Sequence, residues 1–207
     1  MNRPISLDVF AQAGYASGMA VIRKSDLPTR ERLIVTAATL FRQQGYHATG
    51  LAELLAMAGV PKGSLYHHFP AGKADLAMAA ADWVAAEYIR IMDDAFGPAG
   101  GFVQGATTLC FKLAKLFDML EAANACPLTA MLFDGPEGEE FRSHAEAGFA
   151  RLATHLAGHG TRLGLPPAVA QDRAELLLMA VQGTWTIARA QRSAAALRKL
   201  PVRLYGG

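Results

Sequence analysis

The stretch TGLAELLAMAGVPKGSLYHHFPAGK, residues 49–73, decides the fold of the N-terminal part of this chain. Its first half places leucine and alanine at helical spacing and is broken at Gly59. Its second half begins at Pro61, a residue that suits the first turn of a helix, and it stops at Pro70. Two short helices joined by a tight turn predict a helix-turn-helix.

Upstream of this motif, the sequence predicts one further helix and a leader. Residues 1–28 contain scattered glycine and serine without firm periodicity, so we interpret them as an N-terminal leader or arm. The helix begins at Thr29, which we interpret as its N-cap, and it ends at Gly45. Residues 29–73 therefore form a three-helix domain.

Downstream, residues 74–207 are predicted to be helical throughout, because no stretch shows the sustained alternation of a strand. The fold class is therefore all-α, with an N-terminal three-helix helix-turn-helix domain and a larger C-terminal helical domain. The helices predicted after the motif lie near residues 73–92, 102–123, 127–133, 138–159, 167–192 and 195–204.

The charge of the chain is small but uneven. The 207 residues carry a net charge of +2, with eight Lys/Arg against four Asp/Glu in residues 1–73 and twelve against fourteen in the remainder. A basic front suits a polyanionic partner. No apolar run approaches the roughly 20 residues of a membrane span, and no signal peptide is recognisable. Two cysteines, Cys110 and Cys126, do not make a disulfide framework, which favours a reduced, cytoplasmic protein.

The second helix of the motif carries side chains that suit the major groove of DNA. A helix fits this groove, and its exposed N-terminal residues meet base edges there. Small Gly63 lets the helix lie deep, whereas Lys62 and Ser64 can donate to guanine or phosphate acceptors. Tyr66, His67 and His68 place polar groups at the rim. These residues predict direct contact with double-stranded DNA.

Two further residues are candidates for phosphate contacts. Thr49 and Lys73 lie at predicted helix N-termini, where backbone amides and the helix dipole favour an anion. The spacing alone also fits a structural helical hairpin that touches no DNA, since helix pairs with a glycine turn are common.

The run FRQQGYHATGLAELLAMAGVPKGSLYHHFPAGKADL, residues 41–76, resembles the DNA-binding domain of the TetR family of bacterial regulators, and the resemblance covers about residues 30–77. The positions that it assigns to the recognition helix are Lys62, Gly63, Ser64 and Tyr66. The positions that it assigns to phosphate contacts are Thr49, Tyr66, His67 and Lys73. The pair Ala71-Gly72 before the lysine departs from the family pattern, in which Ser, Asn or Gly followed by Lys is commoner.

The rear domain is rich in methionine and aromatic residues, which suit a pocket for flat hydrophobic ligands. Ala125-Cys126-Pro127-Leu128 and GTWTIARAQRS, residues 183–193, resemble the LmrA/YxaF-like branch of the family, whose members respond to drugs or other lipophilic compounds. Core packing is the alternative for any single residue of this set. The candidate pocket residues are Trp83, Phe102, Met119, Cys126, Met131, Phe133, Phe149, Met179, Gln182 and Trp185.

The predicted helix at residues 167–192 carries a stripe of small residues. Small side chains let another helix approach closely, so with the helix at 138–159 the stripe predicts a four-helix interface across a two-fold axis. A dimer is expected in any case, because one recognition helix reads too few bases to be selective. The candidate interface residues are Ala180, Gly183, Thr184 and Ile187.

The sequence contains few residues at spacings typical of a catalytic or metal site. No nucleophile and base lie at usable spacing, so no enzyme is predicted. His155 and His159, spaced i and i+4, are a possible metal pair, but the sequence offers no third ligand, and no metal or cofactor is predicted. Cys126 precedes Pro127 at a helix start, where a thiol gains reactivity, although a buried inert cysteine is the commoner case.

Together these patterns predict a ligand-responsive transcriptional regulator whose rear domain binds ligand and dimerises. The expected function is repression at a palindromic operator, relieved by a small apolar or aromatic effector, with no membrane partner. One alternative is a DNA-binding structural or nucleoid-associated protein without an effector, which a ligand-sized cavity would argue against. The other is a small helical enzyme, which acid pairs lining a pocket would support.

Overall fold

A computed structural model describes residues 27–120, 136 and 138–206. Every regular element in these ranges is an α-helix and none is a strand, which confirms the all-α prediction. The helices of the described ranges are α1 (Thr29–Gln44), α2 (Leu51–Ala58), α3 (Lys62–His68), α4 (Lys73–Phe96), α5 (Phe102–Met119), α6 (Glu139–Arg162), α7 (Pro167–Gln191) and α8 (Ala195–Tyr205).

Most helix ends lie within a few residues of their predicted positions. Helix α1 begins at Thr29, but Pro28 occupies the N-cap position that was predicted for Thr29. Helices α4 and α6 run further than predicted, to Phe96 and Arg162. The helix predicted at residues 127–133 lies outside the described residues.

The described residues divide by their contacts into two compact units. The first contains residues 27–86, 136 and 138–148, and the second contains residues 87–120 and 149–206. Helix α4 therefore contributes its first part to one unit and its second part to the other. None of the described helices combines the length and apolar character that a bilayer span needs. The functional division of the chain described above stays a prediction.

In the first unit, α1 packs against both α2 and α3. Leu33 of α1, Leu54 of α2 and Leu65 of α3 are all fully buried in the core of these helices. Helix α2 ends at Gly59, whose φ of +64° lies in the left-handed region that glycine adopts without steric cost. This confirms the predicted turn between the two short helices, and burial of Leu65 turns the opposite face of α3 outward.

In the second unit, α8 packs against α5 and α7. The ring of Phe117 on α5 meets Trp185 on α7 edge to face, with ring centroids 5.3 Å apart. Phe96 at the end of α4 lies directly over Gly105 of α5, where any Cβ would overlap the phenyl ring. Glycine at this position therefore permits the close packing of α4 on α5 after the linker.

Candidate functional site

Helix α3 presents a polar face to solvent. Leu65 is fully buried and anchors the helix from behind. The exposed residues are Lys62, Gly63, Tyr66 and His67, and Ser64 is half-buried. A Cβ atom built on Gly63 meets no heavy atom within 4 Å, so the surface beside it is open. The structure thus brings four of the residues predicted to contact DNA together on one accessible surface.

The turn after α3 is shaped by Gly72. Its φ of +70° favours glycine, and a Cβ atom there would lie 3.2 Å from Cε1 of Tyr66. The backbone N–H of Ala71 donates to Oδ2 of Asp75 at 2.7 Å, which ties the turn to the start of α4. Glycine at this position therefore leaves room for the ring of Tyr66 beside the turn that leads into α4.

Lys73 begins α4 with its ammonium group over aromatic rings. Its Nζ lies 4.2 Å from the ring centroid of Tyr46 and 5.9 Å from that of Phe41, both within cation–π range. Partial burial lowers the pKa of Lys73 and raises the pKa of Tyr46. The lysine is half-buried and held in place. Its predicted phosphate contact stays a prediction.

The side chain of Thr49 is buried within the first unit, whereas those of the other predicted contact residues are exposed or half-buried. Its side chain is only 2% exposed, and its hydroxyl donates to the carbonyl oxygen of Gly45 at 2.8 Å. Gly50 occupies the N-cap position of α2, and no side chain caps that helix. We therefore assign Thr49 a structural role in the turn between α1 and α2 and do not include its side chain among the proposed phosphate contacts.

The three-helix region as a whole is basic. Residues 29–73 contain five Lys/Arg and two Asp/Glu. One of these acids, Glu53, accepts a hydrogen bond from Nε2 of Gln44 at 2.8 Å. Positive charge around an open helix face attracts a polyanion.

The candidate pocket residues differ in how deeply they are buried. Phe102 and Trp185 are buried, and the ring of Phe102 contacts those of Phe96 and Tyr205. Met179 is 64% exposed on α7 and does not face the interior. The half-buried candidates are Trp83, Met119 and Phe149. The candidates that lie outside the described residues are Cys126, Met131 and Phe133.

Two polar groups of α7 are buried without a hydrogen-bond partner among the described residues. They are the side-chain amide of Gln182, both its nitrogen and its oxygen, and the indole Nε1 of Trp185. Positions i and i+3 share a helix face, so both groups belong to one side of α7. Buried polar atoms ordinarily have partners. This face of α7 therefore suits a bound molecule that carries hydrogen-bonding groups.

Cys110 of α5 is fully buried. Burial raises the pKa of its thiol to about 12, so the thiol is protonated and inert near neutral pH. The sequence raised the alternative of a reactive thiol for Cys126, and this residue lies outside the described residues.

The second unit also holds two acidic residues that the sequence had not singled out. The side chain of Glu87 is 8% exposed, and burial raises its pKa even though Arg90 pairs with it. Asp93 accepts hydrogen bonds from His155 and His159, so the structure does offer the third ligand that the sequence did not. Helical periodicity along α4 could have indicated that Glu87 lies on the buried face of the helix. No local pattern joins Asp93 to a residue 62 positions away.

Helices α6 and α7 expose apolar and small residues. They approach closely where a Cβ on Gly160 would lie 3.0 Å from the Cβ of Ala170. Thr184 is 9% exposed and lies on the buried side of α7 with Trp185 and Val181, and its predicted interface position stays a prediction. Ala180 is half-buried. The exposed residues of α7 include Leu176, Met179, Gly183 and Ile187, and the small exposed residues of α6 include Ala150, Thr154, Gly158 and Thr161.

Comparison with known proteins finds two matching family models. Residues 33–80 match the model described as bacterial regulatory proteins, tetR family. Residues 103–201 match the model of the C-terminal domain of LmrA/YxaF-like transcriptional regulators. The first match contains α2 and α3, and the second contains α6 and α7.

Relatives and solved structures agree with these matches. An HTH-type transcriptional regulator of Mycobacterium tuberculosis is 31% identical over 169 residues, which cover 79% of this chain and 85% of that protein. YxaF of Bacillus subtilis is 36% identical over 100 residues, 48% of this chain and 52% of that protein. The reduced form of Escherichia coli NemR matches with a TM-score of 0.69 and 25% identity, covering 86% of this chain and 96% of that one. A TetR regulator of Legionella pneumophila shares the fold, with a TM-score of 0.70, 18% identity and the same coverage.

Proposed function

The chain belongs to the TetR family of bacterial regulatory proteins, and from this premise we propose that it is a homodimeric repressor released from a palindromic operator by a small apolar or aromatic molecule. Membership makes it a DNA-binding transcriptional regulator of the helix-turn-helix type. Repression is proposed because a relative, NemR, is a transcriptional repressor. The same proposal places the protein in the cytoplasm, with its DNA.

The observation that carries the DNA-binding proposal is the open face of α3. Buried Leu65 holds the helix to the domain, while Lys62, Gly63 and Tyr66 remain exposed on its other side. Lysine can donate to O6 and N7 of guanine in the major groove. Gly63 leaves room for the groove edge to approach the backbone. We propose Lys62 and Ser64 as base contacts, and Tyr66, His67 and Lys73 as phosphate contacts.

Selection from random-sequence DNA followed by gel-shift titration tests this proposal. We expect enrichment of a two-fold symmetric sequence whose half-sites are about one helical turn apart. Lys62→Ala should relax selectivity at one base position by about 1–3 kcal/mol. Lys199→Ala, which removes an exposed lysine of α8, is the matched control and should bind as wild type. Equal affinity for all sequences would favour the nucleoid-associated alternative.

The proposed dimer rests on the exposed faces of α6 and α7. Leu176, Met179 and Ile187 are each about half or more exposed in the single chain, which is unusual for large apolar side chains that lie together. Gly158 and Gly183 have no heavy atom within 4 Å of a built Cβ, so the backbone there is open to a second helix. A second copy of this chain would cover both faces around a two-fold axis.

The effector is proposed to bind along the inner face of α7. Trp185 supplies an aromatic surface, and the amide of Gln182 supplies a donor and an acceptor that lack partners among the described residues. A mostly apolar molecule with one or two hydrogen-bonding groups fits this combination. Release of DNA follows only if the molecule binds the DNA-incompetent state more tightly than the competent one.

Tryptophan fluorescence reports on this proposal, because Trp83 and Trp185 are the two tryptophans of the chain. Titration with uncharged aromatic compounds should quench emission, raise the melting temperature and weaken operator binding over one concentration range. Gln182→Leu should weaken binding of compounds that carry a hydrogen-bonding group, whereas Gln191→Leu, an exposed control on the same helix, should not. Release only by an anion or an oxidant would contradict the proposed effector class.

A further inference from the structure

Three potential metal ligands from two helices meet in the second unit. Oδ1 of Asp93 on α4 lies 2.7 Å from Nε2 of His155 and 2.8 Å from Nε2 of His159, both on α6. The ligand atoms of all three side chains lie within 4.8 Å of one another. We propose that Asp93, His155 and His159 bind a late first-row divalent cation, with zinc the best match, and thereby join α4 to α6.

The donor set is the first argument for a metal. Histidines at i and i+4 project from the same face of a helix, one turn apart, so both Nε2 atoms can reach one ion. Two imidazoles and one carboxylate are a donor set that zinc takes with one further position left to water or another ligand. Magnesium and calcium prefer oxygen ligands, so these ions match the site poorly.

The geometry is the second argument. Zinc bonds of about 2.0–2.2 Å in a tetrahedral arrangement separate adjacent ligand atoms by about 3.3 Å. The carboxylate oxygen therefore needs to withdraw by about half an ångström from each imidazole to admit the ion. The side chain of Asp93 is 49% exposed, which leaves it free to make this small movement. His159, by contrast, is only 13% exposed and stacks on the ring of Phe96, so it is held in place.

Ion binding replaces the present hydrogen bonds. In the metal-free protein each Nε2–H donates to Asp93, and on binding the ring proton moves to Nδ1, so that Nε2 offers its lone pair. Nδ1 of His159 lies 3.5 Å from Nη2 of Arg162, which is itself held by the carbonyl of Phe96 at 2.7 Å. A guanidinium at this distance disfavours both the Nδ1–H tautomer and a nearby dication. Arg162 therefore limits the affinity, and Arg162→Gln should increase it.

The same two helices provide an internal control. In the first unit, Nε2 of His144 on α6 lies 3.3 Å from Oδ1 of Asp82 on α4. This pair offers one imidazole and one carboxylate, and among the described residues no third potential ligand completes a group of three beside it. A variant at His144 therefore removes a histidine next to an aspartate from α6 without touching the proposed site.

The test is metal binding by the untagged full chain after treatment with chelator. Calorimetry should show one zinc ion per chain, thermal denaturation should show a higher melting temperature with zinc than with magnesium, and cobalt should give visible absorption without a strong thiolate band. His155→Ala and Asp93→Asn should each lower affinity by at least about 10–100-fold. Asp93→Asn keeps the size and a hydrogen-bond acceptor, so a fold defect is not expected to obscure its result.

His144→Ala should bind zinc as wild type does. Failure of the wild-type chain to bind, equal losses in His144→Ala and His155→Ala, or a thiolate band with cobalt would each overturn the proposal. None of these readouts uses DNA or an effector, so the outcome is independent of the function proposed above.

Discussion

The ammonium group of Lys73 lies 4.2 Å from the ring centroid of Tyr46, so a cation–π contact holds the first residue of α4 against a residue two positions beyond the end of α1. The lysine keeps its charge but loses part of its freedom. This arrangement places a fixed positive charge beside the N-terminal amides of α4, where a phosphate is favoured.

Replacement of Lys73 by alanine should weaken binding to all DNA sequences alike and reduce the salt slope by about one. Tyr46→Leu removes the ring and keeps the charge, so it should cost about 0.5–1 kcal/mol of folding stability while the salt slope stays unchanged. Gel shifts over a series of salt concentrations and thermal denaturation measure both effects. An unchanged slope in Lys73→Ala would show that the ammonium serves packing only.

Gly63→Ala should separate stability from DNA binding. Alanine is favoured over glycine inside a helix by about 0.5–1 kcal/mol, and a Cβ at this position meets no other atom, so the free protein should become more stable. The added methyl group lies on the face of α3 that is proposed to enter the groove, so operator affinity should fall. A more stable variant with unchanged operator affinity would remove Gly63 from the interface.

Ile187→Arg should convert the dimer to a folded monomer. Ile187 is 50% exposed in the single chain, so arginine fits the monomer, whereas burying its unpaired charge in an interface costs about 3–5 kcal/mol. Sedimentation gives the oligomeric state, and circular dichroism checks the helix content. Val202→Arg, at a 71% exposed position of α8, is the control and should remain dimeric. A dimeric Ile187→Arg would place the interface elsewhere.

Glu87→Gln should raise stability at neutral pH. Burial raises the pKa of Glu87, so the folded protein binds more protons than the unfolded chain above the ordinary glutamate value, and stability falls as pH rises through the folded pKa. Glutamine keeps the shape and carries no charge to bury. In denaturation at pH 7 the variant should have a larger free energy of unfolding than wild type, and the difference should be smaller at pH 5.

An exposed carboxylate provides the control for this measurement. Glu146→Gln, at a side chain that is 73% exposed, should change stability little at either pH. The ion pair with Arg90, whose side chain is 60% exposed, stabilises wild type and opposes the cost of burying the charge of Glu87. Glutamine cannot form this ion pair. A loss of stability at pH 7 in Glu87→Gln would mean that this ion pair outweighs the cost of burial.

The sequence by itself predicted the helices of the described ranges and the orientation of α3. Helix formation follows from local spacing, caps and breakers, so Gly59 and the period of buried leucines sufficed to place α2 and α3. The same period predicted that Leu65 points inward, and with it the exposure of Lys62, Gly63 and Tyr66. The burial of Thr49 was not predicted, because a turn residue is exposed or buried according to the helix that packs over it, and this is not a local property.

Only the tertiary structure decided which distant residues meet and how each long helix is rotated about its axis. Thr184 and Ile187 lie in the same predicted stripe, yet packing around Trp185 buries the first and exposes the second. Asp93 joins His155 and His159 only because α4 and α6 lie side by side in the second unit. Local sequence fixes backbone hydrogen bonds within a helix, whereas such pairings depend on the simultaneous packing of several helices.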